Sequence, residues 1–481
     1  MRTSSQALLW FSATATAYLA GAATGPMWAD SAKLTIYALH GYLPSLSPGD
    51  HAGWTFLARL WLALVGGDPV TNLHRLSAVA GAAAVALVFL LTARRHPDPL
   101  AAHGAAALVA VAHAHWWAAE VTESYPLAVA LAVASMWLAE RSRDRLAGTL
   151  AGAVAGLALA CHAMSLVLTV PALLTAGRRR WAPMGLGILL GAAPLWLAAL
   201  GAPADPLTGH HTSRAGSVLW HVAAFVEPAR APLGLTLVTA LLAYGFGPIG
   251  AAALAVAVRR EASGSGAGRL WLSLSPLLPL VVLLSVYLPA RVHLMLGFVV
   301  VGLVVAAPPR LAAPWVAAHL ACQLALYLLV PAALVGVGRG SLGVRELPHR
   351  NNAWYFLYPV KRRDAGPETY ARALLTATPP GAVVLADFNP GAVLRLVQER
   401  SGLRPDVTVV PTVIDEILAQ PDPALALARR VAAAGAPVVL ADRWQPYYRV
   451  AELQRRFAAE LSPCGPGLLV AVVGGSLPPD G

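Results

Sequence analysis

The chain has 481 residues, of which 57% are hydrophobic and 12% charged, far below the roughly 25% charged of a soluble globular domain, so water is not its main solvent. The formal net charge of +11 sits in short arginine clusters between apolar stretches rather than along one face, which argues against a nucleic-acid partner and for membrane topology. Arg94 with Arg95, Arg141 with Arg143 and Arg145, Arg178 with Arg179 and Arg180, Arg259 with Arg260, and Arg310 all flank apolar runs, and the positive-inside rule places them in the cytoplasm.

About eleven apolar stretches follow one another, most of them long enough for the roughly 20-residue helix that a bilayer requires. The first, Ala7 to Ala23, also has the flanks of a signal peptide, but it is long enough to span and further spans follow it. An outer loop then runs to about Thr71. Within it, Trp54 to Val65 is amphipathic, bounded by Gly and Pro and too short to cross, and reads as a helix in the outer interface. The next span returns to Arg94. Spans near 100–116 and 124–139 form a hairpin whose outer turn is HAHWWAAEVTESYP. Leu146 to Ala176 begins and ends at inside-type arginines, so it must go out and back, and two short helices meeting near His162 satisfy this. Spans near 182–200, 232–258, 270–289, 292–307 and 311–337 follow, and parity puts the C-terminus outside.

From about Arg339 the composition changes, dividing the chain into a transmembrane part over 1–338 and an extracytoplasmic domain over 339–481. Short apolar runs at 382–386, 407–411, 437–441 and 468–473 read as buried strands, with helical patterns at 391–402, 424–434 and 448–460 between them. This pattern predicts a small α/β domain with a mostly parallel sheet. No Gly-rich dinucleotide fingerprint accompanies its first strand. Cys161, Cys322 and Cys464 form no disulfide framework, since the first two lie in apolar runs.

The residues that could carry chemistry gather at the outer boundary. Asp30 follows the first span and suits a general base for an acceptor hydroxyl, although Asp-Ser before an apolar helix fits a helix N-cap equally well. Glu120 and Glu123 lie in the hairpin turn with Tyr125 two residues on; carboxylates at membrane depth are costly and tend to face a polar cavity, and a solvated turn is the alternative. If Asp30 and Glu123 converge they form a two-carboxylate site for a base plus a group ordering the acceptor or a divalent cation. His162, at the helix break, reads either as a satisfied core histidine or as a phosphate contact. The loop around 201–231 carries Asp205, His210, His211, Arg214 and His221 without zinc-ligand spacing. Arg291, between two spans, is a phosphate candidate or a snorkelling interfacial arginine.

Four outer-boundary segments in order, WADSAKLTIYALHGYLPSLSPGDHAGWTFLARLW, HWWAAEVTESYPLAVAL, ALACHAMSLVLTVPALL and ADPLTGHHTSRAGSVLWHV, with PPGAVVLADFNPGAVLRLVQERSGLRPDVTVV further on, resemble a bacterial membrane family once filed as a domain of unknown function. That family is similar to protein O-mannosyltransferases and to transmembrane protein 260, within the GT-C glycosyltransferase clan. The likeness covers most of residues 15–225. It implies a polytopic α-helical, GT-C-like membrane protein of the bacterial inner membrane with about eleven transmembrane helices and a C-terminal α/β domain outside the cytoplasm. It further implies that Asp30 is the first-loop carboxylate near the acceptor, that Glu123 with Tyr125 forms the family's Glu-x-Tyr turn, and that His162 follows the short fifth span. One departure stands out. LSPGDH at 46–51 replaces the family's His-Pro-Pro-Gly-Tyr-Pro-like stretch, leaving the roles of Asp50 and His51 open.

The expected activity is therefore transfer of a sugar from a polyprenyl-phosphate donor to a hydroxyl of a protein, lipid or glycan acceptor. Asp30 and Glu123 would be catalytic, and Tyr125, His162, Arg291, Asp205 and His221 would bind substrate. No cofactor is required by the residues themselves, and a divalent cation stays open. A transporter or lipid flippase is the main rival, which would be expected to show discontinuous helices and paired repeats with a site near the membrane midplane. A membrane-anchored sensor is a further one.

Overall fold

The computed structural model describes residues 3–43, 51–141, 144–201, 205–207, 231–264, 266–278, 280 and 289–473. The membrane part is built from helices α1 (Thr3–Gly21), α2 (Asp30–His40), α3 (Ala52–Val65), α4 (Pro69–Arg95), α5 (Pro99–Val111), α6 (His113–Ala119), α7 (Tyr125–Arg141), α8 (Arg145–Cys161), α9 (Leu166–Thr175), α10 (Arg178–Gly191), α11 (Ala193–Gly201), α12 (Ala231–Ser263), α13 (Ala267–Leu274), α14 (Pro289–Ala306) and α15 (Ala313–Gly336). A single turn of 3₁₀ helix, Ala163–Ser165, joins α8 to α9.

Local chemistry explains where these helices begin. Asp68 and Asp98 each precede a proline at the first helical position, and their carboxylates accept from the amides of Thr71 (2.9 Å) and Leu100 (3.0 Å); Asp144 caps α8 in the same way through Ala147. Each such carboxylate satisfies an amide that the helix cannot pair itself. Helices α8 and α10 approach through small residues. A Cβ on Gly152 would strike the Met184 carbonyl, and one on Gly187 the Thr149 carbonyl, the close backbone contact that small residues permit where lipid supplies no hydrophobic drive.

Among the described residues, three helices are long and apolar enough to cross a membrane: Pro69–Arg95, Gly234–Ser263 and Ala313–Gly336. The expectation of about eleven spans counted apolar length, whereas several of those stretches fold as consecutive short helices. The break between α5 and α6 falls at Ala112 in extended conformation, that between α8 and the 3₁₀ turn at His162, and α12 carries a non-helical Gly247 before Pro248. The helix break at His162 and the separate helix over 52–65 match the sequence reading.

The C-terminal part contains α16 (Asn352–Leu357), α17 (Gly366–Ala377), β1 (Val383–Leu385), α18 (Phe388–Ser401), β2 (Thr408–Val410), α19 (Val413–Leu418), α20 (Pro423–Ala432), β3 (Val438–Leu440), α21 (Gln445–Tyr448), α22 (Val450–Phe457), β4 (Ala459–Cys464) and β5 (Gly467–Val473). Its five-stranded sheet has the order β2-β1-β3-β5-β4. Strand β1 pairs in parallel with β2 and β3, with Val384 opposite Val409 on one side and Val439 on the other, while β5 is antiparallel to both β3 and β4. The sheet is thus mixed rather than mostly parallel. The reason is β4: only its end residues Ala459 and Cys464 are buried and it includes Pro463 at the sheet edge, so it lacks the continuous apolar run of a central strand.

This domain is pinned to the membrane helices from several directions. Trp117 of α6 donates to the Tyr355 carbonyl (2.8 Å), Tyr244 of α12 donates to the Leu357 carbonyl (2.8 Å), and the Lys361 amide donates to the Gly21 carbonyl at the end of α1 (2.9 Å). Short helix α16 is therefore set into the bundle, next to the loops that carry the acidic residues.

Candidate functional site

Asp30 is the first residue of α2. Its predecessor Ala29 occupies the N-cap at φ 55° and ψ −123°, with no side-chain capping bond, so the N-cap reading of Asp30 does not hold. Its carboxylate instead lies 3.0 Å from the Lys33 ammonium, one turn along the helix, and keeps 24% of its side-chain surface exposed. Lys33 also stands 5.4 Å from the Phe388 ring of α18 and 5.9 Å from that of Tyr37.

Glu120 and Glu123 are both buried, at 0% and 4% exposure, so their turn is not a solvated one. Glu120 accepts from the Trp116 indole at 2.6 Å and occupies space that a side chain on Gly21 would fill. Two residues of α4 fix the turn that presents Glu123. His74 donates through Nε2 to the Gly25 carbonyl (2.9 Å) and accepts at Nδ1 from the Thr122 hydroxyl (2.8 Å), while Ser77 bonds to the Glu123 backbone. One imidazole thus ties the loop bearing Asp30 to the turn bearing Glu123. Burial pushes the ionisation of the Tyr355 phenol of α16 up, with Arg350 opposing it and Asp364, Glu123 and Asp30 adding to it more weakly.

A histidine pair packs at the break after α8. His51, the N-cap residue of α3, stacks on His162 with ring centroids 4.9 Å apart and planes 20° apart. His162 in turn lies 4.5 Å from Tyr125 and 5.5 Å from Phe298 of α14. Hydrogen bonding assigns the tautomers: His51 Nδ1 donates to the Cys161 carbonyl (2.9 Å), and His162 Nδ1 accepts from the Met164 amide (3.0 Å), so His51 offers an acceptor at Nε2 and His162 a donor. Burial, with Lys33 adding to it and Asp30 opposing it, lowers the His51 pKa to about 4, leaving the ring neutral at pH 7.

Arg350 completes the site. Its guanidinium packs 5.2 Å from the Tyr355 and Phe356 rings and 6.0 Å from Trp28, and donates to Asn352 Oδ1 (2.8 Å) and to the Arg345 carbonyl (2.7 Å). Burial is the largest influence on it and holds its pKa down to about 10. Among the described residues no carboxylate lies within salt-bridge distance of it.

The structure therefore brings Asp30, Glu123, Tyr125 and His162 to one junction of the membrane helices with the C-terminal domain. Asp205 is engaged elsewhere: it accepts from the Tyr37 hydroxyl (2.9 Å) and the Leu207 amide (2.8 Å), two helical turns along α2 from Asp30. His221, with His210, His211, Arg214 and Asp50, lies outside the described residues. Arg291 falls within α14, but its side chain is likewise outside them. The sequence reading passed over Lys33, Arg350 and Tyr355. Of these only Lys33 had a local signal, its placement one helical turn after Asp30. Among the described residues no group of three His, Cys, Asp or Glu side chains is arranged to hold a metal.

No protein-family model matches this chain, and no curated protein does. Among solved structures it is similar to ArnT from Cupriavidus metallidurans bound to undecaprenyl phosphate, at 13% identity over 98% of this chain and 99% of that one, with a TM-score of 0.53. The apo state of the same protein gives 14% identity over 99% and 100%, with a TM-score of 0.52. At such identity the likeness is one of fold: the chain shares the architecture of ArnT.

Proposed function

We propose that this protein is a membrane glycosyltransferase that takes a sugar from a polyprenyl-phosphate donor and transfers it to an acceptor hydroxyl on the extracytoplasmic side. The observation that carries the reading is the Asp30–Lys33 pair at 3.0 Å, following a loop that His74 ties to the buried turn bearing Glu123, with Arg350 packed 5.2 Å from the Tyr355 ring. The fold supports it, since a neighbour of the same architecture binds undecaprenyl phosphate.

In the proposed reaction Asp30 takes the proton of the acceptor hydroxyl as its oxygen bonds to the anomeric carbon. The bond from that carbon to the phosphate oxygen breaks, and the electron pair leaves with the polyprenyl phosphate, inverting the anomeric centre. Lys33 and Arg350 would meet the charge on the departing phosphate as fixed cations. Glu123, buried beside Tyr125, orders the acceptor. His162, with a ring N–H free to donate at Nε2, faces the same space. The acceptor is a protein, lipid or glycan hydroxyl, and the donor a hexose as in protein O-mannosyltransferases.

The test is turnover of the purified full-length protein with a panel of polyprenyl-phosphate sugars, with and without chelator, beside Asp30→Asn. A general base contributes about 10²- to 10⁴-fold, so the variant should lose at least about a hundredfold in kcat while still binding donor. Undiminished turnover in the variant removes Asp30 from the mechanism, and no release of polyprenyl phosphate from any donor by the wild type overturns the transferase reading.

A further inference from the structure

Adjoining the candidate site and sharing Arg350 and Tyr355 with it, a cavity of about 510 Å³ lies between the end of α1, the turn at 349–351 and the segment 354–364, within the size range of small-ligand sites. Its depth follows from its neighbours. Tyr244, which bonds the Leu357 carbonyl, packs 5.5 Å from Tyr327, and Tyr327 stands about 21 Å of helix above Ala313, at the arginine-flanked end of α15. Lys361 is bonded through its amide to Gly21, at the far end of α1. The cavity therefore opens at the membrane boundary opposite the arginine clusters.

Its lining is cationic and aromatic. Arg350, Arg362 and Arg363 face Trp354 and Tyr358, with Asp364 the one acid in the lining. Arg362 and Arg363 are exposed, and among the described residues neither has a carboxylate within salt-bridge distance, nor has Arg350. Lys361 is not counted with them, because its ammonium donates to the carbonyls of Tyr355 and Tyr358. Guanidinium groups left without countercharge beside Trp and Tyr at a bilayer boundary are the pattern that anionic headgroups satisfy.

The path leading to the cavity is apolar or small. On α1 the residues Leu8, Ser12, Thr16 and Ala20 are all exposed, and their four-residue spacing makes one ridge. Leu9 and Leu19, exposed by 56% and 37%, widen it. Ala20, at its end, lines the cavity. A free phosphate has no use for such a ridge, whereas acyl chains do.

We propose that this cavity holds the phosphate headgroup of an anionic bilayer lipid whose acyl chains lie along the exposed ridge of α1, and that the bound lipid seats the C-terminal domain on the membrane. The proposal does not rest on the transferase reading, and its test does not read transfer. The thermal unfolding midpoint of the detergent-solubilised full-length protein would be followed while short-chain phosphatidylglycerol, phosphatidylcholine of the same chain length, or inorganic phosphate is added. Phosphatidylglycerol should raise the midpoint in a concentration-dependent way, as any ligand of the native state does. Arg362→Ala with Arg363→Ala should abolish the rise, and Arg362→Lys with Arg363→Lys should restore most of it, which separates lost binding from a misfolded variant. An equal rise with phosphatidylcholine, no rise with phosphatidylglycerol, or a rise that survives the double alanine variant overturns the site. An equal rise with inorganic phosphate overturns the lipid as its source.

Discussion

Ala29 is held at φ 55°, a backbone region that costs an L-residue about 1–3 kcal/mol, immediately before Asp30. Strain of this kind persists when surrounding contacts over-determine it, and here they do: His74 holds Gly25 on one side, and the Lys33 ion pair holds Asp30 on the other. At this scale the sequence was informative wherever an ionisable group stood in apolar surroundings, which is why Asp30, Glu123, Tyr125 and His162 could be singled out. It was silent on Arg350 and Tyr355, because their relation to Asp30 is purely tertiary. Asp205, singled out on polarity, accepts in the structure from the Tyr37 hydroxyl and the Leu207 amide. His51 was left open and is now a neutral, buried partner of His162.

A prediction at the residue scale concerns Lys361. Burial pushes its ammonium down to about 7, against the pull of Asp364 and Glu120, while in the unfolded chain it titrates near about 10.4. Below pH 7 both states carry the proton and the full penalty of the buried charge is present. Between about 7 and 10 the unfolded state binds the extra proton, so native stability rises with pH. The unfolding midpoint of the wild type should therefore climb relative to Lys361→Met across that interval. A difference between the two proteins that stays flat from pH 7 to 10 would show that the carbonyls of Tyr355 and Tyr358 keep the ammonium charged.

The elements of the C-terminal domain were legible in proportion to their burial. β1, β2, β3 and β5 are short apolar runs and were read directly, as were the helices at 388–401 and 423–432. β4 was not, because an edge strand with one wet face carries no continuous apolar signal. The carboxyl ends of the adjacent parallel strands β1 and β3 lead to Asp387 and Asp442, the position where open α/β sheets bind ligands. Here a residue of the same chain fills it. Arg345, on the segment leaving α15, donates to both Asp387 oxygens (2.9 and 2.8 Å) and through Nε to Asp442 (2.9 Å), while the Tyr448 hydroxyl donates to Asp387 at 2.6 Å. The backbone carbonyl of the same Arg345 accepts from Arg350, so the clamp also steadies a cation of the candidate site. Removing one partner of a buried pair costs about 3–5 kcal/mol because the other charge is left buried. Arg345→Ala should lower the stability of the domain by that order, read as loss of hydrogen-exchange protection in β1 and β3. Unchanged protection would mean that water replaces the guanidinium at little cost.

For the whole molecule, the composition change near Arg339 matches the position of the sheet, and among the described residues three helices have the length and apolarity of a full crossing. Breaks at Ala112, His162 and Gly247 turn apolar stretches into shorter or kinked helices; His162 stacks within the candidate site, while Gly247 packs against Gln323 and Leu326 of α15. The resemblance drawn from ordered outer-boundary segments pointed to a GT-C architecture, and the likeness to ArnT agrees on the fold. What neither residue order nor fold supplies is where a lipid phosphate sits relative to the acids. A cryo-EM map of the full-length protein with bound undecaprenyl phosphate measures this directly. The phosphate should lie within hydrogen-bonding distance of Lys33 and Arg350, with Asp30 and Glu123 facing the same water-filled space. A phosphate bound away from both cations, or a wall of packed side chains between the two carboxylates, would contradict the account.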